Sequence, residues 1–369
     1  MGSADQKVAI GLMSGTSMDG IDAALIETDG GASFTAIAAT SIPYQSAFRD
    51  SLRAALGHAG PFPALAAELT DLHVDAVAGL LASAGMSAAN VDVVGFHGHT
   101  IFHDPGNRST VQIGDGDRLA RDLGIDVVHD FRSADVAAGG QGAPFAPLFH
   151  AVLAPEERPL CFLNIGGVAN LTWVAPGANP AQDDVFDQLL AFDTGPGNAL
   201  IDDWVQRHAG MLFDDDGALA ASGTVDADVL EALLANAYFE ALPPKSLDRT
   251  DFSIDRAAQL SAADGAATLS MFTVEAIRRS AGVLPTPPVQ WLVTGGGRKN
   301  SFLLRELESA LNVPVRPTEA VGIDGDALEA QAFGYLAVRH LAGLPLSGPT
   351  TTGVPSPQTG GRRSNARSV

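Results

Sequence analysis

The chain has 369 residues, 46% hydrophobic and 18% charged, with 22 basic against 43 acidic side chains and a formal net charge of −21. Such a length predicts about two domains, and the apolar content is that of a chain that buries a core rather than one that stays disordered. The negative field disfavours nucleic acid and anionic membranes as partners; because it also repels a nucleotide, any phosphate site must be assembled locally from backbone N–H groups, a helix N-terminus and a divalent cation.

Residues 8–10 and 23–26 are apolar and flank Gly-Leu-Met-Ser-Gly-Thr-Ser-Met-Asp-Gly-Ile-Asp at 11–22. Strand, Gly/Ser/Thr turn and strand predict a hairpin whose tip tolerates φ > 0 and leaves no Cβ in a ligand's way. Its N–H groups, with the Ser14, Thr16 and Ser17 hydroxyls, form a candidate phosphate cradle; an ordinary hairpin is the alternative. Residues 64–83 set Leu65, Leu69, Leu72, Val77, Leu80 and Leu81 along a helical stripe. A strand over 91–96 runs into His97-Gly-His99. Two histidines at alternating positions suit zinc, with His103 or His129 completing the set; otherwise they hydrogen-bond a polar ligand or stabilise the strand end. A strand over 125–128 leads to Arg132, whose guanidinium suits bidentate capture of a carboxylate or phosphate, or an ordinary surface ion pair. The glycine-rich stretch 134–142 is the expected place of a domain change, with its glycines as a hinge.

The second half repeats the grammar of the first. Residues 160–165, Gly166-Gly167 and the returning run 168–174 again read strand, glycine turn, strand, which predicts two similar domains facing each other across a cleft. Residues 189–192 run into Asp193-Thr-Gly-Pro-Gly-Asn198 and a helix over 198–207. Asp193 there is either a cap or a carboxylate placed as a general base, and Thr194 and Asn198 are either ligand contacts or turn bonds. Helical patterns cover 263–280, 301–311 and 327–341, and residues 290–294 form a strand that ends in Gly295-Gly-Gly297. Three consecutive glycines favour a nucleotide contact over a plain loop. From residue 345 the Pro, Gly, Ser and Thr content predicts irregular or frayed chain. The one cysteine, Cys161, lies in an apolar run and is expected buried in a strand. No Walker-type phosphate loop occurs, no apolar run approaches the ~18–20 residues of a membrane span, and no signal peptide opens the chain, so a soluble cytoplasmic protein is expected.

In order, these motifs resemble those of the anhydro-N-acetylmuramic acid kinases, members of the sugar kinase, Hsp70 and actin superfamily. The resemblance runs from about Val8 to about Gly361 and is most specific at residues 13–22; Gly98-His-Thr100, 130–132, 139–144, 164–170, 193–198, 295–297 with Asn300, and 326–330 follow it. It implies an α/β fold of two RNase H-like (actin-like ATPase) domains around an interdomain cleft, here expected as 1–135 plus about 345–369, and 136–344. It also implies ATP with Mg²⁺, a homodimer, and a reaction on 1,6-anhydro-N-acetylmuramic acid from cell-wall turnover in which water opens the anhydro bridge while O6 takes the γ-phosphoryl group. Asp193 matches the family's general base. Gly15, Thr16, Ser17, Met18, Asp19, Gly20, Ile21 and Asp22 match the first ATP-binding turn, Thr194, Gly195 and Gly197 the second, and Gly295, Gly296 and Gly297 the nucleotide-proximal one. Ser14, Thr100, Arg132 and Glu329 match positions near the sugar, with Arg132 facing its lactyl carboxylate. Two departures stand out: Ser133 and Ala134 follow Arg132 where further basic residues are usual, and Arg298-Lys299 follow the glycines where histidine or alanine is common. The competing functions are a chaperone-like ATPase and a metal-dependent sugar hydrolase built on His97 and His99.

Overall fold

Lys7-Val-Ala-Ile-Gly-Leu-Met-Ser14 is apolar on both faces, as a central strand covered on both sides must be. It forms β1 (Lys7–Ser14) in a computed structural model that describes residues 6–15, 18–247, 249 and 251–366. Thr16 and Ser17 lie outside the described residues. β1 pairs antiparallel with β2 (Gly20–Thr28), and β2 with β3 (Phe34–Pro43). On its other side β1 runs parallel to β4 (Val93–Asp104), and β4 parallel to β6 (Val127–His129). β5 (Ser109–Ile113) folds back on β4, and β12 (Arg362–Ser364) lies antiparallel to β6.

Helices α1 (Ser46–Ala55), α2 (Pro63–Ala84), α3 (Gly116–Leu123), α4 (Ser133–Ala137), α5 (Ala146–Leu153) and α11 (Leu328–Leu341) belong to the same unit. The two-residue period of β1 divides its partners. Ile10 and Leu12 pack with Val77 and Leu80 of α2. Gly11 faces α11 so closely that a Cβ on it would stand 1.7 Å from the Ala330 carbonyl oxygen, and one on Gly95 of β4 would stand 2.0 Å from that of Phe333. The absence of side chains at these two positions lets α11 lie directly on the sheet, nearly every residue from Leu328 to Arg339 buried.

The second unit repeats the arrangement. β7 (Leu160–Ile165) pairs antiparallel with β8 (Val168–Val174), β8 with β9 (Leu189–Pro196), and β7 runs parallel to β10 (Trp291–Thr294), which runs parallel to β11 (Val315–Pro317). The order β3-β2-β1-β4-β6 of the first sheet thus matches β9-β8-β7-β10-β11 of the second. Both are RNase H-like, and the duplication legible in the glycine turns is a duplication of strand order. Helices α6 (Ala199–Ala209), α7 (Ala218–Ser222), α8 (Ala227–Leu234), α9 (Ala262–Ala281) and α10 (Ser301–Leu311) cover this sheet. Trp204 of α6 lies against Gly265 of α9 and donates its indole N–H to the Ala262 carbonyl at 2.8 Å. Cys161 is fully buried in β7.

The expected boundaries differ from those of the structure. One unit takes the residues up to Leu153, Asn179–Asp187 and those from Asp326 on; the other takes Ala154–Ala178 and Gln188–Gly325. The stretch 134–142 is therefore interior to the first unit. Its glycines wrap a buried carboxylate: Asp135 accepts from the Gly142 N–H at 2.7 Å and from the hydroxyls of Ser347 and Thr352 at 2.5 and 2.6 Å. α11 stays with the first unit because it packs on β1, β2 and β4 rather than continuing the second. The stretch from residue 345, expected irregular or frayed, is irregular up to residue 361 and then forms the short edge strand β12.

Candidate active site

Two clusters hold the residues that the sequence singles out, one in each unit. In the first, Ser14 ends β1 and is buried. Its Oγ lies 2.6 Å from the Tyr44 hydroxyl and 2.8 Å from His99 Nδ1. Burial pushes the Tyr44 hydroxyl's proton affinity up, the Ser14 bond opposes this, and Asp19 and Asp22 reinforce it. The turn after β1 is closed by the Met18 N–H donating to Gly15 O at 3.0 Å, with Met18 at φ 56°. Gly20 lies so close to β3 that a Cβ would come within 2.3 Å of Ile42 O. Ile21 is buried in the core, whereas Asp19 is exposed and Asp22 half-buried.

His97 and His99 do not share a face. A bulge at Gly98 (φ +71°) inserts a residue into the β1–β4 register, where Leu12 pairs with Phe96 but Ser14 pairs with His99. His97 packs on Phe333 of α11 with ring centroids 4.7 Å apart, donates from Nδ1 to Gly98 O at 2.8 Å, and accepts from Arg132 Nε at 3.1 Å. An arginine can only donate, which fixes this tautomer. Burial, then the Arg132 charge, hold His97 well below the usual imidazole range; burial takes His99 down to about 4, with the Ser14 bond opposing. The bulge turns the two rings to different partners, and no group of three or more His, Cys, Asp or Glu placed to hold a metal occurs among the described residues.

Arg132 stands half-buried between β6 and α4 and also donates Nη1–H to Gly142 O at 3.1 Å. Burial lowers its pKa to about 10 against the pull of Glu329 and Asp135. It is thus no surface ion pair. Glu329, in the first turn of α11, is open to solvent on one side and crowded by protein on the others. That crowding and then the negative field of Asp22 raise its carboxyl, Arg132 opposes them, and Asp19 adds a smaller upward push. Thr100 of β4 accepts from Gln112 Nε2 at 3.2 Å.

The second cluster centres on Asp193 of β9. The strap 238–247 fastens it at three points: Asp193 N–H donates to Lys245 O at 3.0 Å, Asp193 O accepts from the Tyr238 hydroxyl at 2.6 Å, and Oδ2 accepts from Leu247 N–H at 2.8 Å. Burial lifts the carboxyl to about 7 and the Leu247 bond opposes the lift. Asp193 therefore caps no helix. Thr194 is buried and donates to Ala169 O at 3.1 Å, so its hydroxyl is a structural bond.

The adjoining glycines serve protein contacts more than the sequence implies. Gly197, Asn198 and Ala199 donate their N–H groups to Gly166 and Gly167 carbonyls at 2.7 to 3.2 Å, locking the start of α6 to the tip of the β7–β8 hairpin. A Cβ on Gly195 would meet Ala276, one on Gly295 would meet Asn164 Oδ1 at 2.3 Å, and one on Gly297 would meet Ile165. Gly296 alone of that triplet is exposed. Arg298 folds back inside the unit, donating to Glu319 at 2.8 Å and to Gly295 O at 3.0 Å. Sequence reasoning missed Tyr44, Tyr238 and Asp135. The chain has only three tyrosines, and two of them bond to Ser14 and Asp193; that scarcity is a signal for the two tyrosines, whereas nothing in the sequence marks Asp135.

A family model for anhydro-N-acetylmuramic acid kinase matches residues 7–363. The chain is 53% identical to the anhydro-N-acetylmuramic acid kinase of Paramagnetospirillum magneticum, with 96% of this chain and 99% of that protein covered. It is 54% identical to that of Acidiphilium cryptum, with 96% and 97% covered. Among solved structures, xylulose kinase from Rhodospirillum rubrum is similar at 14% identity and a TM-score of 0.46, with 88% and 92% covered.

Proposed function

The chain belongs to the anhydro-N-acetylmuramic acid kinase family, and we propose that it uses ATP to convert 1,6-anhydro-N-acetylmuramic acid to N-acetylmuramic acid 6-phosphate, recovering a cell-wall amino sugar. Asp193 takes a proton from a water whose oxygen bonds to the anomeric carbon. The C1–O6 bond breaks, O6 takes the γ-phosphoryl group, ADP leaves with the bridging oxygen, and Asp193 returns its proton to solvent. The observation that carries this role is the carboxyl itself, lifted by burial to about 7 and held by the strap. A base is most effective when its pKa lies near the working pH.

Phosphoryl transfer otherwise needs positioning and charge neutralisation more than covalent chemistry. The 15–22 turn and the exposed Gly296 are assigned to the ATP phosphates, with Thr194, Gly195, Gly197, Gly295 and Gly297 shaping the backbone behind them. Magnesium supplies neutralising charge when bound with ATP. Asp19 and Asp22 suit it, because Mg²⁺ keeps several waters and takes one or two carboxylates besides the nucleotide. Ser14, Thr100, Arg132 and Glu329 are assigned to the sugar, with Arg132 taking the lactyl carboxylate.

The test is ADP release with 1,6-anhydro-N-acetylmuramic acid and Mg²⁺. Turnover that needs the sugar, and that Asp193→Asn lowers by ~10²–10⁴ with nucleotide affinity kept, is the expected result. ADP release indifferent to the sugar would overturn the substrate, and near-normal turnover by the variant would overturn the base.

A further inference from the structure

Arg132 is a half-buried guanidinium whose orientation is set from two sides before any ligand arrives. His97 takes the Nε–H and Gly142 O takes one Nη1–H. Both fixtures are themselves fixed. His97 is buried, packed on Phe333, and tied by Nδ1 to Gly98 O. Gly142 is held through its N–H by Asp135, whose other oxygen accepts from Ser347 and Thr352 far along the chain. A guanidinium carries five N–H groups in a rigid plane, so pinning two leaves three in fixed directions: both on Nη2 and one on Nη1.

We infer that His97 is a positioning residue that fixes the Arg132 plane, with the Asp135–Gly142 bracket as its counterpart, so that the unpinned edge discriminates sugars bearing a carboxylate from neutral ones. The inference rests on Arg132 being the residue that takes the lactyl carboxylate. A free arginine side chain loses rotamer entropy on ordering, and a prealigned fork avoids that loss only for a planar two-oxygen partner. The prealignment therefore favours the acidic sugar without favouring its neutral analogue.

Two variants separate the bonds of His97. The shorter amide of His97→Asn reaches the Nδ1 position and keeps the Gly98 contact but has no acceptor for Arg132; the longer side chain of His97→Gln places its amide oxygen near the Nε2 position. The measurement is KM for 1,6-anhydro-N-acetylmuramic acid against the inhibition constant of 1,6-anhydro-N-acetylglucosamine, which lacks the lactyl group. The ratio is taken within one preparation, so inactive protein does not bias it. His97→Asn should cut the preference for the acidic sugar tenfold or more through KM, with kcat within about twofold, and His97→Gln should restore most of it. Arg132→Gln is the control for the premise. Loss of preference in Arg132→Gln with wild-type preference in His97→Asn would overturn the inference alone. Unchanged preference in Arg132→Gln would overturn the assignment of the carboxylate and the inference with it.

Discussion

The Asp193 carboxyl couples the proposed catalysis to stability, and the two can be read separately. Its pKa moves from 3.8 to about 7 on folding, first because burial disfavours the charged form. Between those values the folded chain holds a proton that the unfolded chain has released, so stability is undiminished below pH 3.8, falls as pH rises, and reaches its full loss above pH 7. At 1.36 kcal/mol per pH unit the loss is roughly 4 kcal/mol at pH 8 and roughly 1.5 kcal/mol at pH 5, a difference of roughly 2.5 kcal/mol; because the group keeps some contact with water, about 2 kcal/mol is the expected size. Asp193→Asn carries no such loss. Its stability relative to wild type should therefore improve by about 2 kcal/mol between pH 5 and pH 8 while its turnover collapses. Urea unfolding followed by tryptophan fluorescence reads the right unit, since Trp173, Trp204 and Trp291 all lie in the one that contains Asp193. An unchanged difference between variant and wild type at the two pH values would refute the burial argument, and a variant that loses stability relative to wild type as pH rises would reverse its sign.

Three further outcomes follow from the same structure. The kcat of the wild type should climb about tenfold per pH unit from pH 5 and level off near 7, where Asp193 ionises; a flat profile over that range would remove the carboxyl from the rate-limiting chemistry. Gly11→Ala sets a methyl 1.7 Å from the Ala330 carbonyl and must lift α11. It should cost about 3 kcal/mol or more by overpacking and should also weaken sugar binding by displacing Glu329; chemical denaturation and KM check both. Asp135→Ala strands the Gly142 N–H and two buried hydroxyls. A loss of about 3–5 kcal/mol by denaturant midpoint is expected; under 1 kcal/mol would mean that water takes its place.

Local signals were sufficient for the strands that run into or return from glycine turns, for the longer helices and for the duplicated hairpin, but not for β3, β5, β11 and β12 or for the shorter helices, which carry no comparable pattern. Helices expected at 64–83 and 301–311 occur as Pro63–Ala84 and Ser301–Leu311. Contacts between distant positions were not legible. The Tyr44–Ser14–His99 chain, the Asp135 bracket spanning more than two hundred residues, and the Asp193 strap each join segments with no shared pattern. Several glycines have close protein neighbours that the sequence does not show. At 295 and 297 glycine answers to β7 pressing against the turn, and at 140 to the Asp135 carboxylate 2.1 Å from where a Cβ would stand. A lone sequence cannot tell a neighbour of that kind from a ligand. The histidines erred for a related reason: alternation places them together only while the strand is regular, and Gly98 breaks it.

Arg339 is only 2% exposed, and its hydrogen-bond partners are main-chain carbonyls of Gly30, Pro180 and Pro345 and the Tyr335 hydroxyl. Those carbonyls come from the β2–β3 turn, from the short excursion Asn179–Asp187 and from the segment after α11, so one planar cation works as a rivet through three separate strips of chain. The excursion interrupts the other unit in sequence, and this rivet is one of the fastenings that hold it where it is. A lysine there would keep the charge yet lack the fork, and the strip most exposed to release would be the one with the fewest other anchors. Whoever divides this protein into expressible pieces should therefore carry residues 179–187 with the piece that contains Arg339, although they lie more than a hundred and fifty positions away from it.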